Sequence, residues 1–293
     1  GDGIADGECD CDGNVDLGCG CAAAGPSGCD NACGSTLEND ECGVCGGDGL
    51  SCLQGMIDAT ECGGTLYVPE GDYDESITIN KCMSLIGAEN RARPKVMRGT
   101  DIDLNERDHC DCYDVTLDGI DFFAGDALSA LSVSFPMGLL TITNSIVDGS
   151  GANGFSGSDI DGLFVTGSTF QFSNTAVSIT GGSVANHHIN ESSFIYNNNN
   201  IYVSPECEGT LDATNNWWGS VDGPGESVEG NVDTGSWYTD ENMNDTVTQD
   251  CNGDWGGTAL LDECGVCGGD GIADGECDCD GNVDLGCGCA AAG

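Results

Sequence analysis

The sequence predicts an all-β protein in which a parallel β-helix solenoid lies between irregular connector segments. Three observations carry this prediction: strand-like segments that recur at a constant step, glycine at 48 of 293 positions, and cysteine- and aspartate-rich ends that repeat each other. So much glycine favours turns and irregular backbone over helix. We predict a connector over 1–52, a β-helix over 53–248 and a second connector over 249–293.

The middle of the chain alternates short strands with Gly, Asn and Asp turns, which is typical of all-β proteins. Five strand cores end in an apolar residue at a nearly constant spacing, which indicates one coil of a parallel β-helix per step. These residues are Phe122, Val147, Phe170, Phe194 and Trp217, and the steps are 147 − 122 = 25, 170 − 147 = 23, 194 − 170 = 24 and 217 − 194 = 23. Each is predicted to stack on its equivalent in the next coil. Asn174 and Asn198 occupy matching turn positions, and we expect their amides to hydrogen-bond along the stack.

Two stretches resemble a known superfold. YVPEGDYDESITI with LIGAEN resembles the first coils of the right-handed parallel β-helix of the pectin-lyase-like superfold, and NNWWGSVDGPG resembles the closing motif of its repeat domains. The resemblance covers residues 62–225 and implies a right-handed solenoid. It implies no single function, because the superfold hosts lyases, hydrolases, adhesins and passive spacers.

The two ends of the chain carry the same segment. Residues 1–25 are identical to residues 269–293, GDGIADGECDCDGNVDLGCGCAAAG, at an offset of 269 − 1 = 268. We interpret the chain as one period of a longer tandem array plus an overlap, and a single protein with duplicated end modules is the alternative. A weaker repeat aligns 28–49 with 250–271 at an offset of 222, and both copies end in DECGVCGGDG.

Twenty-one cysteines favour a secreted, oxidised protein with many disulfides. A thioredoxin-type use of CGVC lacks the βαβ context that such a pair requires. A four-thiolate zinc site in the first copy, at Cys29, Cys33, Cys42 and Cys45, fails in the second, where Trp255 replaces the second of these cysteines.

Disulfides therefore remain, and the pairs that we predict are Cys29–Cys42, Cys251–Cys264 and, on adjacent coils, Cys62–Cys82. Residues 1–268 hold 17 cysteines, which is 21 minus the four in the duplicated tail. An odd number leaves one thiol unpaired, or pairs one between units or between chains.

The charge of the chain is extremely acidic. Six Lys plus Arg against 51 Asp plus Glu give a formal net charge of −45. Such a polyanion repels nucleic acid and anionic membranes, and no apolar run is long enough to span a bilayer. Its carboxylates need counter-ions, and calcium is the cation that closely spaced oxygen ligands suit best.

In the connectors, Asp or Asn stands at alternate positions of glycine-containing loops, which is the ligand spacing of calcium loops. The predicted calcium ligands are Asp10, Asp12, Asn14, Asp16, Asp250, Asn252, Asp254, Asp262, Glu263, Asp278, Asp280, Asn282 and Asp284. These segments resemble the Asp-rich, disulfide-braced calcium repeats of thrombospondin type 3 and related surface proteins. Hydrated carboxylates without a bound metal are the alternative.

The sequence argues against an enzyme. All basic residues lie between Lys81 and Arg107, so the coils from 108 to 225 lack the base with which lyases of this superfold abstract a proton. Asp118 with Asp121, or Asp159 with Asp161, are candidate hydrolase pairs, yet neighbouring acids are expected anywhere in this composition.

The three histidines form no compelling catalytic set, and the adjacent pair, His187 and His188, is expected to point to opposite faces of a strand.

Two further features concern the surface. The basic residues of one early loop, among them Arg91, Arg93 and Arg98, form either a solvated edge loop or N-terminal cap, or a docking patch for an acidic connector of another unit. The sequons that begin at Asn190 and Asn244 permit N-glycosylation.

We therefore predict a repeat unit of an extracellular or cell-surface structural or adhesive protein that associates with copies of itself, with calcium-binding connectors between β-helix rods. The alternatives are a secreted β-helix that binds or cleaves carbohydrate, and a modular adhesin with a ligand site in exposed turns.

Overall fold

Three parallel sheets wrap around one apolar core in the middle of the chain, which confirms the predicted β-solenoid. The computed structural model describes residues 3–39, 45–47, 52–87, 92–104, 112–134, 137–283 and 289. Ahead of the solenoid, β1 (Pro26–Ser27) pairs antiparallel with β2 (Ala32–Cys33), and a single short helix, α1 (Leu53–Ala59), is the one helix of the described residues.

Six coils have all three strands within the described residues. The first two coils hold β3 (Thr65–Val68), β4 (Asp72–Tyr73), β5 (Ile77–Ile79), β6 (Met83–Gly87), β7 (Lys95–Val96) and β8 (Thr100–Ile102). The next two hold β9 (Val115–Asp118), β10 (Asp121–Phe123), β11 (Ser129–Val133), β12 (Met137–Thr143), β13 (Ile146–Asp148) and β14 (Asn153–Gly157). The last two hold β15 (Ile160–Thr166), β16 (Thr169–Gln171), β17 (Thr175–Ile179), β18 (His188–Asn190), β19 (Ser193–Ile195) and β20 (Asn199–Val203).

The chain then leaves the solenoid through short strands: β21 (Leu211–Asp212), β22 (Val228–Glu229), β23 (Val232–Asp233), β24 (Ser236–Tyr238) and β25 (Thr246–Thr248). Sheet A runs from β3 to β21 and β23 through the first strand of every coil, sheet B from β4 to β19, and sheet C from β5 to β22. All solenoid strands therefore lie inside the predicted segment 53–248, whose boundaries stay a prediction.

The predicted inward stack is present on sheet B. Phe122, Val147, Phe170 and Phe194 lie in register on successive coils and are fully buried. The rings of Phe170 and Phe194 stack at 5.2 Å between centroids. Alternating side chains of a strand point to opposite faces, so one apolar row per sheet suffices to build a continuous core.

The last member of that stack was predicted wrongly by one position. Trp218, not Trp217, lies over Phe194, at 4.8 Å between ring centroids, and it is buried. Ser193 is the residue that pairs with Trp217 across the coils. The last step is thus 218 − 194 = 24, the same as the step from Phe170 to Phe194.

Five corners between sheets A and B contain a residue with positive φ, and a buried polar residue follows it in four of them. The first set is Gly119, Asn144, Gly167, Glu191 and Asn215, with φ between 49° and 68°. The residues that follow in four of the coils are Ser145, Ser168, Ser192 and Asn216, all at most 1% exposed. The left-handed conformation turns the chain sharply, and Gly or Asn tolerate it best.

These four buried residues form a ladder that runs along the solenoid. The backbone N–H of Ile120 donates to Ser145 Oγ, and the N–H of Ser145 donates to Ser168 Oγ, each at 3.2 Å. In the same way, the N–H of Ser168 donates to Ser192 Oγ, and that of Ser192 donates to Asn216 Oδ1. Each serine hydroxyl donates in turn to the carbonyl two residues earlier, for example Ser168 to Thr166 at 3.1 Å. We call this arrangement the corner ladder.

A second polar contact follows the prediction. The Nδ2 of Asn198 donates to Oδ1 of Asn174 at 3.4 Å, so the turn asparagines bond along the stack as expected. The backbone N–H of Asn199 also donates to the carbonyl of Asn174.

The two ends of the core are covered differently. At the N-terminal end, α1 packs on β3 and β5 and buries Leu53 and Ile57 completely, one helical turn apart. At the other end, Trp237 of the antiparallel pair β24–β25 is 5% exposed and donates its indole N–H to the carbonyl of Val221. Its ring lies where a side chain on Gly223 would be, so the glycine of the closing motif makes room for this cap.

Replacement of Ser168 by Ala tests the corner ladder. The change removes the acceptor of the Ser145 N–H and leaves this group unpaired in the core, at an expected cost of about 1–3 kcal/mol in the free energy of unfolding. The measurement is the denaturation midpoint followed by far-UV circular dichroism. Ser76→Ala, at an exposed serine outside the ladder, is the matched control, and equal midpoints for the two variants would contradict the role of the ladder.

Candidate functional site in the connectors

The connectors are held together by disulfides that overlap along the chain. The bridges are Cys9–Cys21, Cys19–Cys33 and Cys29–Cys45 in the first connector, and Cys251–Cys267, Cys264–Cys279 and Cys277–Cys289 in the second. Each bridge after the first begins inside the loop that the preceding bridge closes. We call each interlocked set a disulfide ladder.

Two predicted pairings in the connectors are wrong. Cys29 bonds to Cys45 instead of Cys42, and Cys251 bonds to Cys267 instead of Cys264. The backbone explains the second case, because Leu261 and Cys267 form an antiparallel bridge that turns Cys267 back toward the start of the loop. Asn39 and Cys45 form the same bridge in the first copy. Cys42 itself lies outside the described residues.

The predicted pair on adjacent coils is also wrong. Cys82 bonds to Cys112, which stands ahead of β9 as Cys82 stands ahead of β6, so this bridge joins the second coil to the third. Cys62 is disulfide-bonded as predicted, but its partner is not Cys82. The neighbouring backbone does lie next to Cys82, since the N–H of Gly63 donates to the Cys82 carbonyl at 2.8 Å.

The alternate spacing of acids in the connectors has a direct structural use. Oδ1 of Asp250 accepts the backbone N–H groups of Asn252 and Asp254, and its Oδ2 accepts that of Ala259. Asp262 repeats this pattern with Cys264, Val266 and Gly271. The first carboxylate of each loop therefore closes the loop by binding backbone N–H groups two, four and nine residues later, as in an extended Asx turn.

The duplicated segment follows the same rule with a shorter loop. Asp10 accepts from the N–H groups of Asp12 and Asn14 and from the Asn14 amide, and Asp278 accepts from Asp280 and Asn282 in the same way. Asp16 accepts from Gly18 and Gly20. Asp284 lies outside the described residues.

These hydrogen bonds hold the pKa of the loop-closing carboxylates below the ordinary value. For Asp250 and Asp262 the largest cause is the N–H four residues later, and for Asp10 and Asp278 it is the side chain of Asn14 or Asn282. A carboxyl whose folded pKa lies below its unfolded pKa stabilises the fold above about pH 4 and loses this contribution as the pH falls.

Calcium binding by the connectors stays a prediction, and no three carboxylates cluster within the described residues. Among them, two groups of three candidate ligand atoms lie within 4.8 Å, Cys9–Asp10–Cys21 and Cys277–Asp278–Cys289. Both groups contain two disulfide sulfurs, whereas calcium requires six to eight oxygen ligands. The geometry therefore fits loops closed by their own carboxylates, and it leaves the exposed side chains of Asp12, Asp254, Glu263 and Asp280 for cations.

Trp255 connects the second connector to the solenoid. Its ring lies 4.3 Å from the ring of Trp237 between centroids, and its backbone forms an antiparallel bridge with Gln249. In the aligned first copy the same position is Cys33, which bonds to Cys19. In place of one disulfide of the ladder, the second connector thus has an aromatic contact to Trp237, which caps the core.

The predicted docking residues Arg93 and Arg98 form ion pairs with acids of the adjacent coils. Arg98 contacts Asp74 at 2.7 Å and Asp126 at 3.8 Å, and Arg93 contacts Asp121 at 3.3 Å. Burial raises the pKa of Asp121, and the Arg93 guanidinium works against this rise. Arg91 lies outside the described residues, and a docking role for these arginines stays a prediction.

Three of the candidate catalytic side chains, Asp118, Asp121 and His188, have polar partners. Asp118 accepts hydrogen bonds from Thr143 and Asn144 on sheet A, whereas Asp121 belongs to sheet B. The two adjacent histidines point to opposite faces, as predicted: His187 is 1% exposed, and His188 is half-exposed beside Asp212. Burial lowers the pKa of the His187 imidazole.

The two sequons differ in accessibility. Nδ2 of Asn190, the atom to which a glycan is attached, donates hydrogen bonds to Asp212 and Thr214 at the surface of sheet A. Asn244 is exposed in the turn between β24 and β25.

A groove of about 570 Å³ lies on the outer face of sheet C. Its floor is a row of outward side chains in register on successive coils: Thr78, Asp101, Ser132 and Ser156. Leu128, which is 89% exposed, and Arg98 also line it.

No helix in the described part of the chain is long and apolar enough to cross a membrane.

Comparison with known proteins gives one short likeness. No protein-family model and no solved structure matches the chain. Over 42 residues, 14% of its length, the chain is 55% identical to "A disintegrin and metalloproteinase with thrombospondin motifs gon-1" of Caenorhabditis elegans. These residues make up 2% of that protein, so the likeness concerns a single small segment.

Asp262→Ala tests whether carboxylates close the connector loops. The backbone N–H groups of Cys264, Val266 and Gly271 lose their acceptor, so we expect their hydrogen exchange to accelerate about tenfold or more. Glu263→Ala removes the neighbouring, exposed carboxylate and changes the net charge equally, and it should leave these rates unchanged. Similar acceleration in both variants would show that charge, not the hydrogen bonds, governs the loop.

Proposed function

We propose that this chain is a repeat unit of an extracellular structural protein, in which solenoid rods are joined by disulfide-laddered connectors. One observation carries the proposal: the connectors at the two ends of a single solenoid share two kinds of disulfide bridge. Cys9–Cys21 and Cys277–Cys289 are identical bridges at an offset of 277 − 9 = 268, and Cys29–Cys45 and Cys251–Cys267 match at an offset of 251 − 29 = 222. A disulfide-rich β-solenoid is compatible with an extracellular protein.

The architecture suits passive load bearing. A solenoid whose coils contact only their neighbours is rigid along its axis, and interlocked disulfides limit the extension of segments that have little core of their own. Of the acids that a hydrolase would use, Asp118 is hydrogen-bonded and Asp121 is ion-paired to residues of adjacent coils. We therefore propose a structural role without catalysis.

Calcium is proposed as a counter-ion of the connectors rather than as the centre of a caged site. The formal charge of −45 makes neighbouring connectors repel each other, and exposed carboxylates at Asp12, Asp254, Glu263 and Asp280 are available to bind cations. Bound calcium lowers this repulsion and stiffens the joint, while the disulfides and the loop-closing aspartates maintain the loop itself.

Scattering from chains of one, two and four units tests this proposal. We expect the maximum dimension to grow linearly with unit number in calcium. In chelator the same chains should become more flexible without unfolding, and only added reductant should open the connectors. A maximum dimension that barely increases from two to four units would contradict a rod-like array, and identical curves with calcium, magnesium and chelator would contradict the counter-ion role.

The groove on sheet C favours a second candidate function, the binding of a neutral carbohydrate. Its row of three hydroxyls and the Asp101 carboxylate, at the spacing of the coils of about 4.8 Å, offers repeated donors and acceptors to a chain of sugars. The acidic surface disfavours anionic polysaccharides.

Ser132→Tyr fills this groove and should abolish binding to neutral oligosaccharides in calorimetric titration. Ser178→Tyr changes the same outward row one coil beyond Ser156, outside the groove, and should leave the affinity unchanged. If no neutral or acidic oligosaccharide binds the parent protein, this candidate is wrong, and release of reducing or unsaturated ends would instead indicate an enzyme.

A further inference from the structure

Cys11 is exposed and has no disulfide partner, although its copy in the second connector is bonded. The offset of 279 − 11 = 268 relates Cys11 to Cys279, and Cys279 forms a disulfide with Cys264. The two cysteines lie in identical sequence, so a difference in local sequence does not explain their different states. What differs is the segment that precedes them: Cys264 lies upstream of the duplicated residues.

The local structure around the two cysteines is also the same. The N–H of Cys9 donates to the Asn14 carbonyl at 2.7 Å, and the N–H of Cys277 donates to the Asn282 carbonyl at 2.7 Å. The adjacent bridges, Cys9–Cys21 and Cys277–Cys289, both have a Cα–Cα distance of 5.5 Å. Cys11 is thus held in the conformation that its copy adopts when bonded.

From this equivalence we propose that Cys11 forms a disulfide with the Cys264 of the preceding unit, so that a disulfide crosses every junction of the array. The inference rests on the proposed tandem arrangement and adds the disulfide that joins consecutive units. The two ladders then merge into one continuous set of five bridges. In order along the chain these are Cys251–Cys267, Cys264 to Cys11 of the next unit, Cys9–Cys21, Cys19–Cys33 and Cys29–Cys45.

This assignment also accounts for the odd cysteine count of the period. The Cys264 of each unit bonds to Cys11 of the following unit, and its Cys11 bonds to Cys264 of the preceding unit. Each period therefore contributes two cysteines to the junction disulfides. Among the described residues, the thiol then left unpaired is Cys207, which is half-buried beneath the Ile179 carbonyl at 3.8 Å and whose pKa is raised by burial. With Cys207 set aside, 17 − 1 = 16 cysteines remain for pairing.

The bond forms by thiol–disulfide exchange with an external disulfide, such as an oxidoreductase or an oxidised low-molecular-weight thiol. The Cys11 thiolate attacks one sulfur of the donor and expels the other as a thiolate. The Cys264 thiolate of the preceding unit then attacks the Cys11 sulfur of the mixed disulfide. The two protein thiols lose two protons and two electrons, and the donor disulfide is reduced to two thiols.

The test compares the 293-residue chain with a chain that carries a second copy of residues 247–268 ahead of residue 1. Both are oxidised, alkylated under denaturing, non-reducing conditions and mapped by mass spectrometry. In the shorter chain we expect Cys11 and Cys207 to be alkylated and Cys264 to be found linked to Cys279. In the extended chain, alkylation of Cys11 should fall from nearly complete to nearly absent, with a new peptide pair that links Cys11 to the added copy of Cys264.

Two controls separate this result from a general change in folding or access. Cys264→Ser in the added copy should restore the alkylation of Cys11, and Cys207 should stay alkylated in every chain. The proposal is overturned if Cys11 stays reactive in the extended chain, if it links to a different cysteine, or if it joins two chains as a Cys11–Cys11 dimer. The mapping reads a bond within one chain, so it can succeed even if the scattering experiment rules out extended rods, and the reverse also holds.

Discussion

The solenoid depends on one constraint: at each corner between sheets A and B the backbone turns inside the core, where an unpaired N–H is costly. The corner ladder meets this constraint with the side chain of the next coil. Ser145, Ser168, Ser192 and Asn216 each accept an N–H from the coil before, and the serine hydroxyls return their own hydrogens to nearby carbonyls. Since each coil supplies the acceptor for its neighbour, a shift of register by one position would leave the whole row unpaired. The ladder therefore fixes the register that the stacked rings of Phe170, Phe194 and Trp218 fill.

The connectors solve the opposite problem, because they have almost nothing to bury. The residues of the disulfide ladders are mostly exposed, and the buried core cluster begins at Leu53 and ends at Trp237. Covalent bridges and loop-closing carboxylates take the place of packing there. The division extends to charge: Arg93, Lys95 and Arg98 neutralise acids within the first three coils, whereas the described parts of the connectors contain acids and no basic residue.

The fold was predictable because successive coils place their core residues at a nearly constant spacing in the sequence. The nearly constant step between strand cores located the stacked residues, and it failed only at the Trp217–Trp218 pair, where two identical neighbours both satisfy the pattern. Disulfide partners were not predictable in the same way, since Cys42 and Cys45 lie equally well within reach of Cys29 until the turn geometry is known. The acids at alternate positions were recognised, but their partners were not, because calcium and backbone N–H groups select the same spacing. Comparison of the two copies could not decide between the possible disulfide pairings, because the predicted pairs Cys29–Cys42 and Cys251–Cys264 are related by the same offset of 222 as the bridges that form.

The exchange of Cys33 for Trp255 between the two aligned copies gives the unit a direction. Where the first connector closes a covalent rung, the second instead places an indole against Trp237, the residue that caps the end of the core. The second connector directly follows the solenoid and can pack against its end. An aromatic contact buries part of the connector surface and part of the solenoid surface, which a disulfide within the connector cannot do. A chain that is still far from the next solenoid gains nothing from such a contact, and a covalent rung limits its flexibility better. The connector that follows the solenoid is thus docked on the cap of the core, whereas the connector that precedes the solenoid is held by a disulfide, so the aligned copies use the same position for different tasks.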